Sequence, residues 1–453
     1  MNFDDKFIHV MNVDYDNILT NNININFDDI LINLTSIINK YQIFTNNDIM
    51  ELTESITIIF NNYIKNNILD IIYPDFDKKL IKYIYDIIII QILDLYDNNL
   101  KYRIKFKIIY LIKKIKKQLY TIIIPPRSYK SSFIRNINYD TNYINHITEK
   151  INIIKNIQQP SQRSDEWYVF RHNLLTASSI WKVFGSQATQ NQIIYEKCKP
   201  YTIFGQISIT SPLHWGQKYE PVSVEFYKKL YKTEVSDFGC IKHSKYPCIG
   251  ASPDGINTDI NNKRYGRMLE IKNVVSREIN GIPKMEYWIQ MQVQMETCDL
   301  NECDFLETKF VEYISEEEFL NDGSFTHSSD DKVKGIMILF SYNGNLHYEY
   351  APLYCTSEEY EEWEKYTLDK NSSGEWIQNI FWKLEKYSNI LVLRNKLWFN
   401  TALPKINDLW NTIEKEKISG YQHRMPNLKK RTKQSDLISN KCYIIVDKIP
   451  TSN

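Results

Sequence analysis

The stretch Gly250-Ala251-Ser252-Pro253-Asp254-Gly255, followed after a polar interval by Met268-Leu269-Glu270-Ile271-Lys272-Asn273, decides the reading of this chain. The two glycines and Pro253 read as a tight turn that aims Asp254. Met268–Asn273 reads as a short apolar strand. Leu269 and Ile271 bracket Glu270, so a strand places Glu270 and Lys272 on one face. Two charges on one face of an apolar strand are costly to bury without a purpose. Two acids and an amine on rigid backbone are the parts needed to hold a divalent metal and cleave a phosphodiester. Hard cations prefer oxygen ligands, so Asp254 and Glu270 are candidate ligands to Mg²⁺ or Mn²⁺, with the Ile271 carbonyl as a third oxygen. Lys272 would orient or deprotonate the attacking water and balance charge building on phosphorus. The same residues also fit a surface salt bridge.

Working outward, the 453 residues allow two or three domains. Hydrophobic content of 43% and charged content of 24% fit a globular protein, and no apolar run is long enough to span a bilayer. Net charge is zero, which excludes a general polycation and requires any nucleic-acid contact to use local patches. The seven cysteines form no C-x-x-C pair and follow no signal peptide, which implies a reduced, intracellular setting.

Residues 1–125 read as an N-terminal helical domain, with apolar residues at three and four spacing in Ile108, Leu111, Ile112, Ile115 and Leu119. Pro125-Pro126 ends that pattern, and 126–160 reads as an irregular linker. From there strands and helices alternate. Strands are expected at Glu234–Lys242, Tyr246–Gly250, Lys309–Ile314, Lys334–Phe340 and Leu346–Pro352, the last two joined by a turn at Asn343-Gly344. Helices are expected at Pro221–Tyr231, at Tyr287–Thr297, and from Ser357 to Lys417. Residues 161–420 form the expected main domain and 421–453 a basic tail.

Five blocks in order carry a family resemblance: Trp167-x-x-x-Arg171, Thr176-Ala177-Ser178, Trp215-Gly216-x-x-Tyr219-Glu220, Ser252-Pro253-Asp254-Gly255 with Glu270-Ile271-Lys272, and Tyr287-x-x-Gln290. Over about a third of its length the chain resembles the lambda-exonuclease-like, YqaJ-type viral recombination nucleases of the PD-(D/E)xK superfamily. That resemblance implies an α/β, restriction-endonuclease-like core: a central mixed sheet flanked by helices. It implies a metal-dependent DNA exonuclease, 5′-to-3′ on double-stranded ends, using Mg²⁺ or Mn²⁺, two ions in all, for recombination, repair or viral DNA processing. It implies Arg171, Ser178 and Ser252 on the terminal 5′-phosphate, where an Arg fork matches phosphate oxygens. A helix starting after Thr176 would add N–H groups and a dipole. Glu220 would hold a second metal or its water, and Pro221 places it just before its helix. Gln290 would contact Lys272 or the scissile phosphate, while Gln294 and Tyr287 pack.

Implied partners are duplex DNA ends, a single-strand annealing protein and further copies in a homo-oligomer; no membrane is expected. The Asn, Ile and Tyr bias suits an AT-rich genome such as that of a large DNA virus, with the host cytoplasm or virion as the location. A Cas4-like or RecB-like nuclease with endonuclease action is a second reading, though the scattered cysteines suit no iron–sulfur cluster. A third is a non-catalytic DNA-binding scaffold. Three features stay open. The 254–270 loop with Asp259, Lys263, Arg264 and Arg267 either touches DNA or is an exposed turn. Residues 101–135, with eleven basic residues and no acids, either track a DNA backbone or form a solvated face. The Lys429–Lys433 cluster either binds DNA, targets the protein or is a tail.

Overall fold

The computed structural model describes residues 44–93, 98–136, 139–160, 162, 164–202 and 211–426. The basic cluster at Lys429–Lys433 lies outside them. Three helices open the described chain: α1 (Asn46–Asn67), α2 (Phe76–Ile92) and α3 (Asn98–Ile122). A capping box fixes the start of α1, with Thr45 accepting from the Asp48 N–H and Asp48 accepting from Thr45. Their isoleucine and leucine stripes pack against one another, Ile56 and Phe60 of α1 with Ile84 of α2 and Ile108 of α3.

Residues 126–160 are not an irregular linker. They carry α4 (Thr141–Asn156), whose Ile147, Ile151 and Ile154 are buried. Those residues recur at helical spacing, a signal masked by the surrounding asparagines. Nor do the N-terminal helices keep a core of their own. One continuous apolar cluster runs from Phe44 through α1–α4 to Trp288, Trp398 and Ile413. Arg127 ties the two regions further, donating to the carbonyls of Ile72 and Pro283.

The next elements are α5 (Asp165–His172), β1 (Leu175–Thr176), α6 (Ala177–Ile180), α7 (Gln187–Cys198), α8 (Pro212–Tyr231), β2 (Val235–Ser236), β3 (Ile241–Lys242), β4 (Ile249–Ala251), β5 (Gly255–Asn257) and β6 (Met268–Asn273). After them come α9 (Met285–Cys298), β7 (Glu302–Glu312), α10 (Glu316–Asn321), β8 (Lys334–Tyr342), β9 (Asn345–Tyr350), α11 (Ser357–Lys370), β10 (Glu375–Leu393) and α12 (Lys396–Ser419). A seven-stranded sheet has the order β2-β5-β6-β7-β10-β8-β9. Only β6 and β7 run parallel, with α9 as their crossover. A small sheet, β1-β4-β3, lies beside it. The chain thus has the expected mixed α/β sheet flanked by helices, with a helical region at its N-terminal side.

Helix α8 covers one face of the sheet: its Tyr227 packs on Leu269 and Ile271 of β6 and Leu306 of β7. Helix α9 covers the other, where Tyr287 meets Phe305 of β7 at 5.8 Å. Alternation along β6 therefore sends Leu269 and Ile271 toward α8 and Glu270 and Lys272 toward α9.

Several expectations need correction. The span Ser357–Lys417 is not all helical, because the 19-residue strand β10 divides it. Its Ile, Trp, Phe and Tyr residues favour a pleated ribbon. It pairs with β7 through one half and β8 through the other, bulging between Leu384 and Lys386. The expected strand at Glu234–Lys242 is two short ones in different sheets. Gly250 and Gly255 sit within β4 and β5, not at a left-handed turn. They are needed for close approach: a Cβ on Gly255 would lie 2.2 Å from Val235 Cγ1, and one on Gly250 2.7 Å from Leu174 Cδ1.

Candidate active site

Asp254 lies between β4 and β5, and its carboxylate accepts the Ile271 backbone N–H at 2.7 Å. That bond ties the first acid to the strand bearing the second. Glu270 is fully buried and pairs with Lys272. Its other oxygen accepts from Gln294 Nε2 of α9 at 2.6 Å. The same amide reaches the Ser252 carbonyl at 3.3 Å. Lys272 lies over the Tyr287 ring, 5.1 Å from its centroid.

Burial pushes the Asp254 carboxyl well above the usual carboxylate range. The charge of Glu270 adds to this and Glu220 adds further, while Lys272 and the Ile271 N–H oppose it. Burial works against the Lys272 ammonium, yet Glu270 and Asp254 outweigh it and raise its pKa. The amine is therefore held in its charged form. A cleft of about 520 Å³, lined by Glu220, Asp254, Lys272 and Tyr287, opens onto these groups.

Glu220 is helical, contrary to the expectation that Pro221 would place it before the helix. Helix α8 starts nine residues earlier than expected, at Pro212, with Ser211 accepting from the His214 N–H, and it contains Pro221. Proline removes one ladder bond there, and packing of Tyr219, Val222 and Phe226 offsets the loss. Among the described residues, no three His, Cys, Asp or Glu side chains gather closely enough to hold an ion. Glu220 nevertheless faces the same cleft as Asp254 and Lys272, and its charge acts on Asp254. The residues still fit a hard divalent cation. Asp254, Glu270 and the Ile271 carbonyl offer only oxygen, and the repulsion from Glu270, which adds to burial in raising the Asp254 pKa, is one that a cation would relieve.

The helix residue bonded to Glu270 is Gln294. Gln290 is half-buried one turn earlier on α9. The i, i+4 spacing puts Gln294 on the helix face of Gln290, a position that reads from sequence as packing.

Arg171, Ser178 and Ser252 converge. Arg171 Nη1 donates to Ser252 Oγ at 3.0 Å and Nη2 to Ser178 Oγ at 3.1 Å. The guanidinium lies over the Trp167 ring, 4.2 Å from its centroid. Arg171 forms no ion pair among the described residues. Lys197, not singled out from sequence, donates to the Arg171 carbonyl at 2.8 Å. Burial, and then Arg171, lower its pKa to about 8. Arg171 thus holds two hydroxyls through its guanidinium, and Lys197 sets a second cation against its backbone. The expected helix start contributes little: α6 is a single turn, and Thr176 makes no side-chain cap.

The arginines of the 254–270 loop point inward. Arg264 pairs with Asp304 at 2.5 Å, and Arg267 with Glu302 at 2.5 Å and Asp304 at 3.3 Å. Arg267 is 1% exposed, so this part of the loop is neither a DNA contact nor an exposed turn. No helix among the described residues is long and apolar enough to cross a membrane.

Residues 166–301 match the YqaJ-like viral recombinase domain. An uncharacterized protein of Acanthamoeba polyphaga mimivirus is 31% identical over 323 residues. The match covers 63% of this chain and 58% of that protein, so the chain spans little more than half the relative's length. Among solved structures, the alkaline exonuclease LHK-Exo of Laribacter hongkongensis is 17% identical, with TM-score 0.34, over 56% of this chain and 94% of its own. Its complex with dAMP gives 17% and 0.33 over the same shares. A phage-related exonuclease from Haemophilus somnus 129PT gives 14% and 0.30 over 56% and 96%. Residues 166–301, which include most of the residues that gather at the site, are thus similar to the YqaJ-like viral recombinase domain.

Proposed function

We propose that the chain is a metal-dependent DNA exonuclease that digests duplex ends from a 5′-phosphate, with residues 161–420 as its nuclease unit. The observation that carries this reading is the Gln294 amide, which touches both halves of the site. It donates to Glu270 beside Lys272 and to the carbonyl of Ser252, whose hydroxyl meets Arg171. A carboxylate pair and an anion receptor joined by one side chain suit a substrate held by its terminal phosphate while a nearby phosphodiester is cut.

In this reading Asp254, Glu270 and the Ile271 carbonyl hold Mg²⁺ or Mn²⁺, with Glu220 acting through a water or a second ion. The bound cation would supply Lewis acidity toward the phosphate and lower the pKa of its water. Lys272 orients the attacking water and offsets charge on the phosphate oxygens. Glu270 fixes Lys272, Gln294 fixes Glu270, and Gln290 faces the substrate one turn away. Arg171, Ser178 and Ser252, joined by Lys197, grip the 5′-phosphate. Such a grip favours ends over internal sites and sets the 5′-to-3′ direction, leaving a 3′ single strand as substrate for an annealing protein.

The test is one gel series with linear 5′-phosphorylated, linear 5′-hydroxyl, nicked and circular duplexes, with Mg²⁺ or Mn²⁺. The phosphorylated linear duplex should be degraded first, with release of mononucleotides. Cutting of closed circles at equal rate would favour an endonuclease instead. Intact DNA throughout, matching a Lys272→Ala control, would remove the nuclease reading.

A further inference from the structure

Helix α3 buries Ile104, Ile108, Leu111, Ile112 and Ile115 against α1 and α2. Its opposite face carries three aromatic rings in the open. Tyr102 is 70% exposed, Phe106 59% and Tyr110 40%. An aromatic side chain has little reason to stand in water at three successive turns. Spacing of i, i+4 and i+8 sets the rings in one line, and i+11 and i+15 continue it with exposed Lys113 and Lys117. The line runs for about 22 Å at a helical rise of about 1.5 Å per residue. Tyr102 and Phe106 meet edge to face with centroids 4.8 Å apart, and Lys114 approaches the Tyr110 ring at 5.6 Å.

The charge beside the rings is of one sign. Arg103, Lys105, Lys113, Lys114 and Lys117 are all exposed, and α3 has no acidic residue between Lys101 and Ile122. Lys113, Lys114 and Lys117 have no carboxylate partner among the described residues. By contrast Lys116, turned toward α2, is neutralised by Asp77 at 2.5 Å. The helix thus spends its acid-paired lysine on the core side and leaves uncompensated cations beside the aromatic line.

We infer that the exposed face of α3 is a binding surface for single-stranded nucleic acid, with Tyr102, Phe106 and Tyr110 stacking on bases and Lys113 and Lys117 meeting phosphates. Stacking requires bare base faces, which a duplex keeps inside its stack and a single strand presents. A duplex backbone would use the lysines and leave the rings idle. The same amphipathic, basic and aromatic pattern also occurs at membrane surfaces, where long aliphatic side chains usually accompany it. Here the exposed line holds two tyrosines and one phenylalanine and no aliphatic residue.

The experiment measures anisotropy of a fluorescein-labelled 30-nucleotide deoxythymidine strand with a 5′-hydroxyl, titrated with the full chain in EDTA. The missing phosphate withholds the strand from the Arg171 receptor, and the chelator prevents cleavage. The Tyr102→Ala/Phe106→Ala/Tyr110→Ala variant should lose at least about tenfold in affinity. The Lys113→Gln/Lys117→Gln variant should reduce the slope of log K against log salt by about 1.4, at about 0.7 per phosphate contact. All five side chains are exposed, and circular dichroism checks the fold; if one variant misfolds, the other decides. End digestion of a short duplex in Mg²⁺ should stay near the unsubstituted rate in both, so failure of this surface is distinguishable from failure of the nuclease reading. Single-strand affinity within twofold of the parent in the aromatic variant overturns the inference. So does an equal loss for a 30-base-pair duplex, or a loss confined to phosphatidylserine vesicles.

Discussion

Replacing Gln294 by Leu removes the one side chain that spans the site while keeping its bulk. Its amide donates to Glu270 Oε2 at 2.6 Å, and Glu270 is fully buried. A hydrogen bond to a charged group contributes about 1.5–3 kcal/mol, and the orphaned carboxylate oxygen would lie where water cannot replace the donor. Part of that cost falls on the folded state. We expect a loss of about 1–3 kcal/mol of stability, read as a lower melting temperature. The part that falls on catalysis comes from Glu270 turning further toward Lys272 and away from its ligand position. If half the bond energy is lost in the transition state, kcat/KM drops about three- to tenfold, since about 1.4 kcal/mol is a factor of ten. The assay is initial-rate release of nucleotides from a 5′-phosphorylated duplex at saturating Mg²⁺, with Gln290→Ala in parallel. Gln290 makes no such bond, so its loss should be milder and should leave stability unchanged. Wild-type kcat/KM and melting temperature in Gln294→Leu, with a severe defect in Gln290→Ala, would refute the assignment and restore the expectation from sequence.

Further outcomes follow from the same geometry. Lys272→Ala should lower kcat by about 10²–10³ with little change in duplex binding, measured by single-turnover cleavage beside filter binding. Removal of divalent cations by EDTA should stop cleavage, and adding back Mg²⁺ or Mn²⁺, not Ca²⁺ alone, should restore it. Lys197, with its pKa near 8, is charged at pH 7, so the preference for 5′-phosphate over 5′-hydroxyl ends should decline as pH rises through about 8, and Lys197→Met should flatten that profile. The sign for stability is opposite: the folded chain releases this proton before the unfolded chain, whose lysine titrates near 10.5, so the Lys197 contribution makes folding more favourable as pH rises from about 8 to 10.5. Arg264→Ala should destabilise by about 3–5 kcal/mol by leaving Asp304 under-compensated in the interior, with end binding unchanged in surviving folded protein.

The strand Met268–Asn273 is legible in the sequence to the residue, because Leu269 and Ile271 alternate with Glu270 and Lys272. Arg171, Ser178 and Ser252 stand out only through the family resemblance, and the folded chain brings them within hydrogen-bond reach. What escaped was set by tertiary context. Strand β10 has strand-favouring residues, yet Lys383, Glu385 and Lys386 interrupt its alternation, and a bulge absorbs the misfit. Gln294 looks like Gln290 in sequence, and only the orientation of α9 over β6 separates them. Gly250 and Gly255 signal a turn by type, but β4 and β5 require them for packing clearance. The inward arginines of the 254–270 loop could not be paired without knowing that β7 lies beside β6.

Those arginines have a consequence for catalysis although they touch no substrate. Asp254 and Glu270 sit on opposite arms of the hairpin formed by β5 and β6, joined by the long loop. Side chains alternate with period two, so a slip of one residue in β6 would swing Glu270 and Lys272 to the α8 face and bring Leu269 and Ile271 to the α9 face. Hydrophobic burial opposes that slip, but β5 is only three residues long and pairs through two of them. The loop supplies the remaining constraint. Arg267 is the residue before β6, and it is pinned to Glu302 and Asp304 at the start of β7, while Arg264 joins Asp304 and Ser132. Tyr227 of α8 bonds the same Asp304 at 2.7 Å. The network therefore clamps the base of β6 to β7, to α8 and to the segment leading out of α3. Its members are buried charges whose net contribution to stability is small when all are present. Their effect is on geometry: they fix which face of the sheet the two acids and the amine occupy.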